Sequence, residues 1–233
     1  KKRMKQKKVR LLALTLAVAG CISTGMVSAY FTDGDSAVNT FTNGKISIDL
    51  QEPHWDPDAA KNMTPKQEVA KDPKVLNDGI NDAYVFMRVT VPYANVTVAE
   101  DNGTKAATKS DKELYKYDID DLNWTEVGTP QKDTRTRTVT HVYAFAKNNT
   151  MTALAANAST SALFEYIQLI NVVEDEGLEE TVQNVKVEAL AIQTRNINDE
   201  KTSLDGDNSD GKTTPAEVWS VLSVQNPATA DKN

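Results

Sequence analysis

The chain has 233 residues, with 26 Lys and Arg against 33 Asp and Glu, which gives a formal net charge of −7. An acidic chain repels nucleic acid and anionic lipid, so its charge argues against both as partners. A hydrophobic share of 39% is ample for one core, and all-β domains of about 200 residues are ordinary.

The first 29 residues have the three ordered features of a secretory signal. A basic head, Lys1–Arg10, precedes a short apolar stretch, Leu11–Gly20. Val27 and Ala29 then fit the small-x-small pattern that a signal peptidase accepts. We therefore predict a signal peptide over residues 1–29, with cleavage before Tyr30.

Two other processing outcomes stay open. The uncharged stretch Leu11–Ala29 is just long enough to span a bilayer as a retained anchor, although its Gly, Ser and Thr content makes it a poor one. Val18–Cys21 matches a lipobox, in which Cys21 would be lipidated and become the mature N-terminus. A Cys21→Ser variant decides this alternative, since unchanged processing excludes the lipoprotein.

Removal of the signal changes both the charge and the cysteine content. The signal holds seven basic residues and no acidic one, so 19 Lys and Arg remain against 33 Asp and Glu, a net charge of −14. Cys21 is the only cysteine, so the mature chain must be held by its core without disulfides. Because like charges must be brought together, we expect any assembly to depend on salt or pH.

Strand signals dominate the mature chain. Four segments alternate apolar and polar residues, and one is an apolar run rich in β-branched and aromatic residues. In chain order, the five segments are Lys45–Leu50, Tyr84–Val91, Thr138–Phe145, Leu163–Val173 and Val182–Thr194. Pro92 is expected to end the second segment, because proline lacks a ladder donor, and Pro73 to interrupt a strand over Glu68–Leu76 at a sheet edge.

Two segments have helix signals. Thr214 is a suitable N-cap, Pro215 suits the first helical position, and Glu217 completes a capping box ahead of an apolar stretch. Thr150–Ala158 is predicted to form a short helical turn.

These elements together predict an all-β fold: an antiparallel sandwich with one or two short helices. The predicted organisation is the signal peptide, an N-terminal segment over 30–44, and a single sandwich domain over 45–233. Polar stretches at 100–111 and 198–212 are expected to be exposed loops.

Catalytic constellations are absent from the sequence. His54 and His141 are the only histidines, and no zinc-helix motif, nucleophile elbow or phosphate-binding glycine loop accompanies them. His141 lies within an alternating strand, where a packed or edge histidine is commoner than a ligand. We therefore predict no enzyme, no catalytic residue and no cofactor.

The acidic loop 198–212 raises the question of calcium. Asp205, Asp207, Ser209 and Asp210 supply oxygen atoms at near-alternating positions, which calcium favours. The EF-hand pattern fails, since its glycine is displaced by one position and Ala216 stands where the bidentate acid belongs. The sequence favours a solvated loop, with a weak calcium site at those four residues as the alternative.

The start of the mature chain is similar to that of a known group of exported proteins. Ala29–Asp33 is followed by Thr40-Phe41, and then by Gly44 and the alternating strand Lys45–Leu50. Later segments also look like that group: Asp82–Val91, Leu163–Tyr166 and Val185–Gln193. On these residues the chain resembles the TasA/camelysin family, exported Gram-positive proteins cleaved by a signal peptidase of the SipW type.

The resemblance implies a jelly-roll or immunoglobulin-like sandwich that serves as a secreted subunit of a cell-surface or biofilm-matrix fibre. It also implies that residues 30–44 act as a donor strand that completes a sheet of the next subunit. Phe31, Ala37 and Phe41 share one parity and are the expected anchors. The implied partners are other copies of the chain, related matrix or surface proteins and the SipW-type peptidase, without nucleic acid.

Alternatives to the fibre subunit stay open. Camelysin-like members have been described as metallopeptidases, although this sequence supplies no ligand set for one. A monomeric surface-binding module or a lipoprotein is a third class. The segment before Lys45 has its own alternative, a disordered tail.

Overall fold

The structure, a computed structural model, describes residues 45–174, 176–178, 183–195, 197 and 213–225. Within these residues the chain forms β-strands and one helix, α1 (Pro215–Gln225). The strands, numbered along the chain, are β1 (Ile48–Gln51), β2 (Glu68–Ala70), β3 (Lys74–Asn77), β4 (Ala83–Val96), β5 (Ser110–Glu113), β6 (Tyr115–Lys116), β7 (Trp124–Glu126), β8 (Gln131–Asp133), β9 (Thr138–Lys147), β10 (Thr150–Met151), β11 (Tyr166–Leu169) and β12 (Lys186–Gln193).

The described strands form three antiparallel groups. The largest has the order β10-β9-β4-β12, with β5 also pairing with β4, and β7 and β8 also pairing with β9. β1 pairs with β3, and β2, β11 and β6 lie side by side in a third group. The predicted all-β antiparallel sandwich is confirmed, whereas a jelly-roll or immunoglobulin-like topology stays a prediction.

The main core lies between the large sheet and the two smaller groups. β4 alternates as its sequence predicts: Val85, Met87 and Val89 point into this core, and all three are fully buried. Trp124 and Phe164 fill the same cluster from β7 and from the segment before β11. Each large apolar side chain buried there contributes about 1.5–3 kcal/mol, so this cluster is the main stabilising feature of the sandwich.

Helix α1 covers the opposite face of the large sheet. The Glu217 amide donates to Thr214 Oγ1 at 3.4 Å, and the Thr214 amide donates to Glu217 Oε2 at 2.8 Å, which confirms the predicted capping box. Val218 and Leu222 are buried against a second apolar cluster that includes Phe86 of β4.

Among the described residues, no helix combines the length and apolar composition needed to cross a membrane.

The prediction that Pro92 ends its strand is wrong, because β4 continues through it to Val96. Pro92 lies between Thr90, the last β4 residue paired with β12, and Tyr93, the first paired with β5. Its missing N–H therefore falls between two partner strands, while its carbonyl oxygen accepts from the Leu114 amide at 2.9 Å. A proline is tolerated where no ladder donor is required.

The apolar run Leu163–Val173 is mostly not strand, contrary to its prediction. Only Tyr166–Leu169 forms β11, whereas Leu163 and Phe164 are buried loop residues of the main core. The Leu163 amide donates to the Pro73 carbonyl, and its carbonyl accepts from the Asp120 amide. Burial in a core thus gives a loop the same apolar composition as a buried strand.

The predicted helical turn over Thr150–Ala158 is also wrong. Asn148 and Asn149 both have positive φ, 50° and 57°, and turn the chain back so that Thr150 pairs with Lys147. Two consecutive positive-φ residues make the tight turn that suits a hairpin. The segment therefore begins with β10 instead of a helix.

The other strand predictions agree with the structure, although the first and last residues of the strands differ from those predicted. Lys45–Leu50, Thr138–Phe145 and Val182–Thr194 contain β1, β9 and β12 respectively. Pro73 divides Glu68–Leu76 as expected, into β2 and β3, which belong to different groups.

Candidate functional site

The predicted assembly, processing and calcium residues all lie outside the described residues. They are Val27, Ala29, Tyr30, Phe31, Ala37, Phe41, Asp205, Asp207, Ser209 and Asp210. Their roles therefore stay predictions. The structure does describe the sandwich domain, to which such a donor segment of another subunit would bind.

β12 is a strand with one described neighbour. Along one edge it pairs antiparallel with β4 over its whole length, from Lys186 opposite Thr90 to Gln193 opposite Ala83. Among the strands that the structure describes, β4 alone pairs with β12. No described strand thus satisfies the backbone groups along the second edge, and such an edge is a template for strand addition.

Both faces of β12 carry apolar side chains. Val187, Ala189 and Ala191 face the main core, while Leu190 and Ile192 face the cluster under α1. Residues 187–191 are only half-buried, whereas their partners on β4 include fully buried residues. Half-buried apolar side chains on both faces are typical of a strand at the margin of a sandwich. The second edge of β12 therefore has apolar surface on both sides of the sheet.

β1 lies beside β12 at this margin, although no ladder joins the two strands. Ile48 and Leu50 of β1 pack into the same cluster as Val187 and Ala189 of β12. We call the β12 edge together with the neighbouring β1 the β1–β12 margin. A strand added here would find backbone partners and, at alternate positions, apolar contacts.

The start of the described chain is fixed close to β1. The Gly79 amide donates to the Ser47 carbonyl at 3.1 Å, and the Ile80 amide donates to the Lys45 carbonyl at 3.2 Å. A Cβ on Gly79 would lie 2.6 Å from the Lys45 oxygen and 2.9 Å from the Ser47 nitrogen. Glycine is therefore required at position 79 for this close backbone approach, which holds residues 45–47 beside the turn between β3 and β4.

Asn77 holds the same turn together from inside. It is fully buried, and its Nδ2 donates to the carbonyls of Asn81 and Leu154, both at 2.9 Å. Its Oδ1 accepts from the Gly79 amide at 3.0 Å. A buried amide with every group paired is inexpensive to keep and costly to remove, so it fixes one conformation of the turn.

His141 of β9 lies between two carboxylates. Its Nδ1 is 2.8 Å from Glu126 Oε1 and its Nε2 is 2.9 Å from Glu113 Oε2, with the imidazole 14% exposed. Hydrogen bonding to Glu113 raises the pKa of His141; desolvation by burial opposes this, and Glu126 adds to it. The ring is satisfied only when both nitrogens carry protons, so it acts as a cationic link between β5, β7 and β9.

Two tyrosines border this link. The hydroxyls of Tyr117 and Tyr143 are 3.0 Å apart, and the His141 ring stacks on Tyr143 at a centroid distance of 6.1 Å. Burial raises the pKa of Tyr117 and that of Tyr143, the latter to about 12. Both phenols therefore stay neutral at physiological pH and add no charge to that of the two glutamates.

A second polar cluster ties the segment after β1 to the segment between β2 and β3. His54 Nδ1 lies 2.8 Å from Asp72 Oδ2, and Lys71 Nζ pairs with Glu52 Oε1 at 2.5 Å. The Lys71 ammonium also lies 4.6 Å from the centre of the Trp55 ring. Burial opposes ionisation of Asp72, but hydrogen bonds from His54 outweigh it and lower the pKa of the carboxyl.

The three tryptophans lie in the core or at its rim. Trp124 is buried in the main core, and Trp219 packs on Phe86 with ring centroids 5.4 Å apart. Trp55 is half-buried beneath Lys71.

In the part of the chain that the structure describes, no three His, Cys, Asp or Glu side chains are grouped to hold a metal ion.

Sequence reasoning missed the carboxylates around His141. Glu126 and Glu113 precede it by 15 and 28 residues, distances at which no local pattern links them. The one available signal was the unusual placement of a histidine in an apolar strand.

Neither a protein-family model nor a curated protein matches the chain.

Proposed function

We propose that this chain is a secreted structural subunit of a fibre in the extracellular matrix or at the cell surface. Residues 30–44 of one subunit add a strand to the β1–β12 margin of the next. Other copies of the chain and related matrix or surface proteins are its partners. The resemblance to the TasA/camelysin family is part of this proposal.

The observation that carries the proposal is the second edge of β12, which has no described partner strand and has apolar surface on both sides. Edges of this kind favour pairing with another chain unless they are covered or charged. β12 carries two charged residues, Lys186 and Glu188, which form an ion pair with each other at 2.9 Å. Val187, Ala189 and Leu190 are uncharged, and β1 supplies further apolar contacts from Ile48 and Leu50. Backbone hydrogen bonds give such an added strand its affinity, and side-chain pockets give it specificity.

In a head-to-tail contact, each subunit binds the next through two different surfaces. Such a contact builds an open filament when the rotation from one copy to the next does not return to the first copy, and a closed ring when it does. In the proposed contact, residues 30–44 of one subunit meet the β1–β12 margin of the next, and because these are two different parts of the chain the contact is head to tail. The fibre therefore needs no second kind of interface.

Truncation tests the donor role. Deleting residues 30–39 should leave a folded monomer that forms no filaments, as judged by circular dichroism and negative-stain electron microscopy. Filaments from the truncated protein would refute the donor role. A peptidase assay with and without chelator on the untruncated mature protein separates a fibre subunit from a metallopeptidase.

Cysteine cross-linking tests the acceptor edge. In a Cys21→Ser background, Ala37→Cys is combined in turn with Lys186→Cys, Glu188→Cys and Leu190→Cys. At least one pair should give a ladder of oligomers on a non-reducing gel that collapses on reduction. The control pairs Ala37→Cys with Leu122→Cys, an exposed site (71%) that is not on β12, and cross-linking there as readily would contradict the edge assignment.

A further inference from the structure

A cavity of about 580 Å³ lies beside the three-stranded group, away from the residues of the β1–β12 margin. It is lined by residues 116–120, which continue from β6, and by residues of 161–168, which lead into β11. Glu68 of β2 closes one side. We call it the β6–β11 cavity.

Aromatic and aliphatic side chains form part of its wall. Tyr117 stacks on Phe164 with ring centroids 4.5 Å apart, and both line the cavity. Tyr166 is 56% exposed at its rim, an unusual degree of exposure for a large aromatic side chain in this structure. Ile119 adds aliphatic surface. This wall suits an alkyl stem or the face of a planar cation.

Negative charge dominates the rest of the lining. Four carboxylates, those of Glu68, Asp118, Asp120 and Glu165, face one ammonium, that of Lys116. Among the described residues, neither the Asp118 nor the Glu165 side chain has an ion pair or hydrogen bond. Burial opposes ionisation of Asp120, but the hydrogen bond from Asn123 Nδ2 at 2.8 Å leads the interactions that outweigh it and lower the pKa of the carboxyl.

We propose that the β6–β11 cavity receives a lysine or arginine side chain of a partner polypeptide. The stem of that side chain packs against Ile119 and Tyr166, and its cation meets Asp118 and Glu165. Charge complementarity selects a cation, and the aromatic wall selects one carried on an alkyl stem over a bare metal ion. This inference is independent of the donor strand, because it uses none of the residues at the β1–β12 margin.

Fluorescence anisotropy tests the proposal. The probe is a fluorescein-labelled, capped Gly/Ser peptide with two lysines, and the titrant is the mature protein at low salt. The peptide should bind, and the same peptide with norleucine in place of lysine should not. Asp118→Asn with Glu165→Gln should weaken binding about threefold or more, since two exposed ion pairs are lost.

A matched control removes the same charge elsewhere. Asp78→Asn with Asp82→Asn changes two exposed carboxylates that do not line the cavity, and it should change the affinity by less than about twofold. Equal weakening by both double variants would overturn the proposal in favour of general attraction to an acidic protein. Binding of the norleucine peptide, or of neither peptide, would overturn it as well. Filament formation by the Asp118→Asn, Glu165→Gln variant reports separately on the fibre.

Discussion

At the scale of single residues, His141 is the side chain whose environment has the clearest consequence. It is held between Glu113 and Glu126, on strands β5 and β7, while Tyr117 and Tyr143 face it as neutral phenols. Removing its proton leaves two facing carboxylates without the cation between them. The link among three strands of the large sheet therefore depends on pH.

Stability should fall as the pH rises through neutrality. The pKa of His141 is raised in the folded state, chiefly by the hydrogen bond to Glu113. Its stabilising contribution is therefore fully present below the unfolded pKa of about 6.5 and is lost as the pH rises through the folded pKa. Thermal unfolding between about pH 5.5 and 9 should show a midpoint that decreases in this window.

His141→Gln should lower the midpoint at the acidic end of that window and flatten its decrease. Glu126→Gln, which removes one of the two carboxylates, should reduce the slope without abolishing it. Parallel profiles for the wild type and His141→Gln would mean that this link does not govern the pH dependence.

At the scale of elements, the turn between β3 and β4 positions the start of β1. Asn77 and Gly79 fix this turn from inside, and the Gly79 and Ile80 amides hold residues 45–47 against it. The position of residues 45–47 thus depends on these two backbone hydrogen bonds.

Gly79→Ala should destabilise the fold by about 1–3 kcal/mol, because its Cβ would collide with backbone atoms of Lys45 and Ser47. Urea unfolding measures the loss, and hydrogen exchange should show faster exchange of the Ile80 amide. Ile80→Ala is the control: this side chain is 65% exposed, so its loss should cost less than about 0.5 kcal/mol. Equal unfolding midpoints for the two variants would contradict the close-approach argument.

At the scale of the whole molecule, net charge opposes the proposed assembly. Without the predicted signal peptide the chain has a net charge of −14, so the proposed fibre would bring like charges together. Raising the salt concentration from about 20 to 150 mM should therefore accelerate filament formation, since the screening length falls below about 10 Å. Light scattering with electron microscopy measures this. A rate that is unchanged or slower in salt would show that repulsion does not limit assembly.

The sequence by itself determined those elements whose signals are local. Period-two alternation marked β4 and β9, and the Thr214–Glu217 capping box marked the start of α1. The predominance of strand segments over helix signals was sufficient for the all-β class. These features depend on neighbours within a few residues, which a single sequence displays.

Tertiary structure alone decided what depends on distant partners. Pro92 stays within β4 because it pairs with β9 on one edge and falls between β12 and β5 on the other, where no donor is required. Leu163 and Phe164 are apolar because they pack in the core, although they belong to no strand. His141 acquires its carboxylates from strands far away in sequence. The β12 edge likewise follows from strand order, which no local pattern records, because pairing between strands is set by the packing of the whole sandwich.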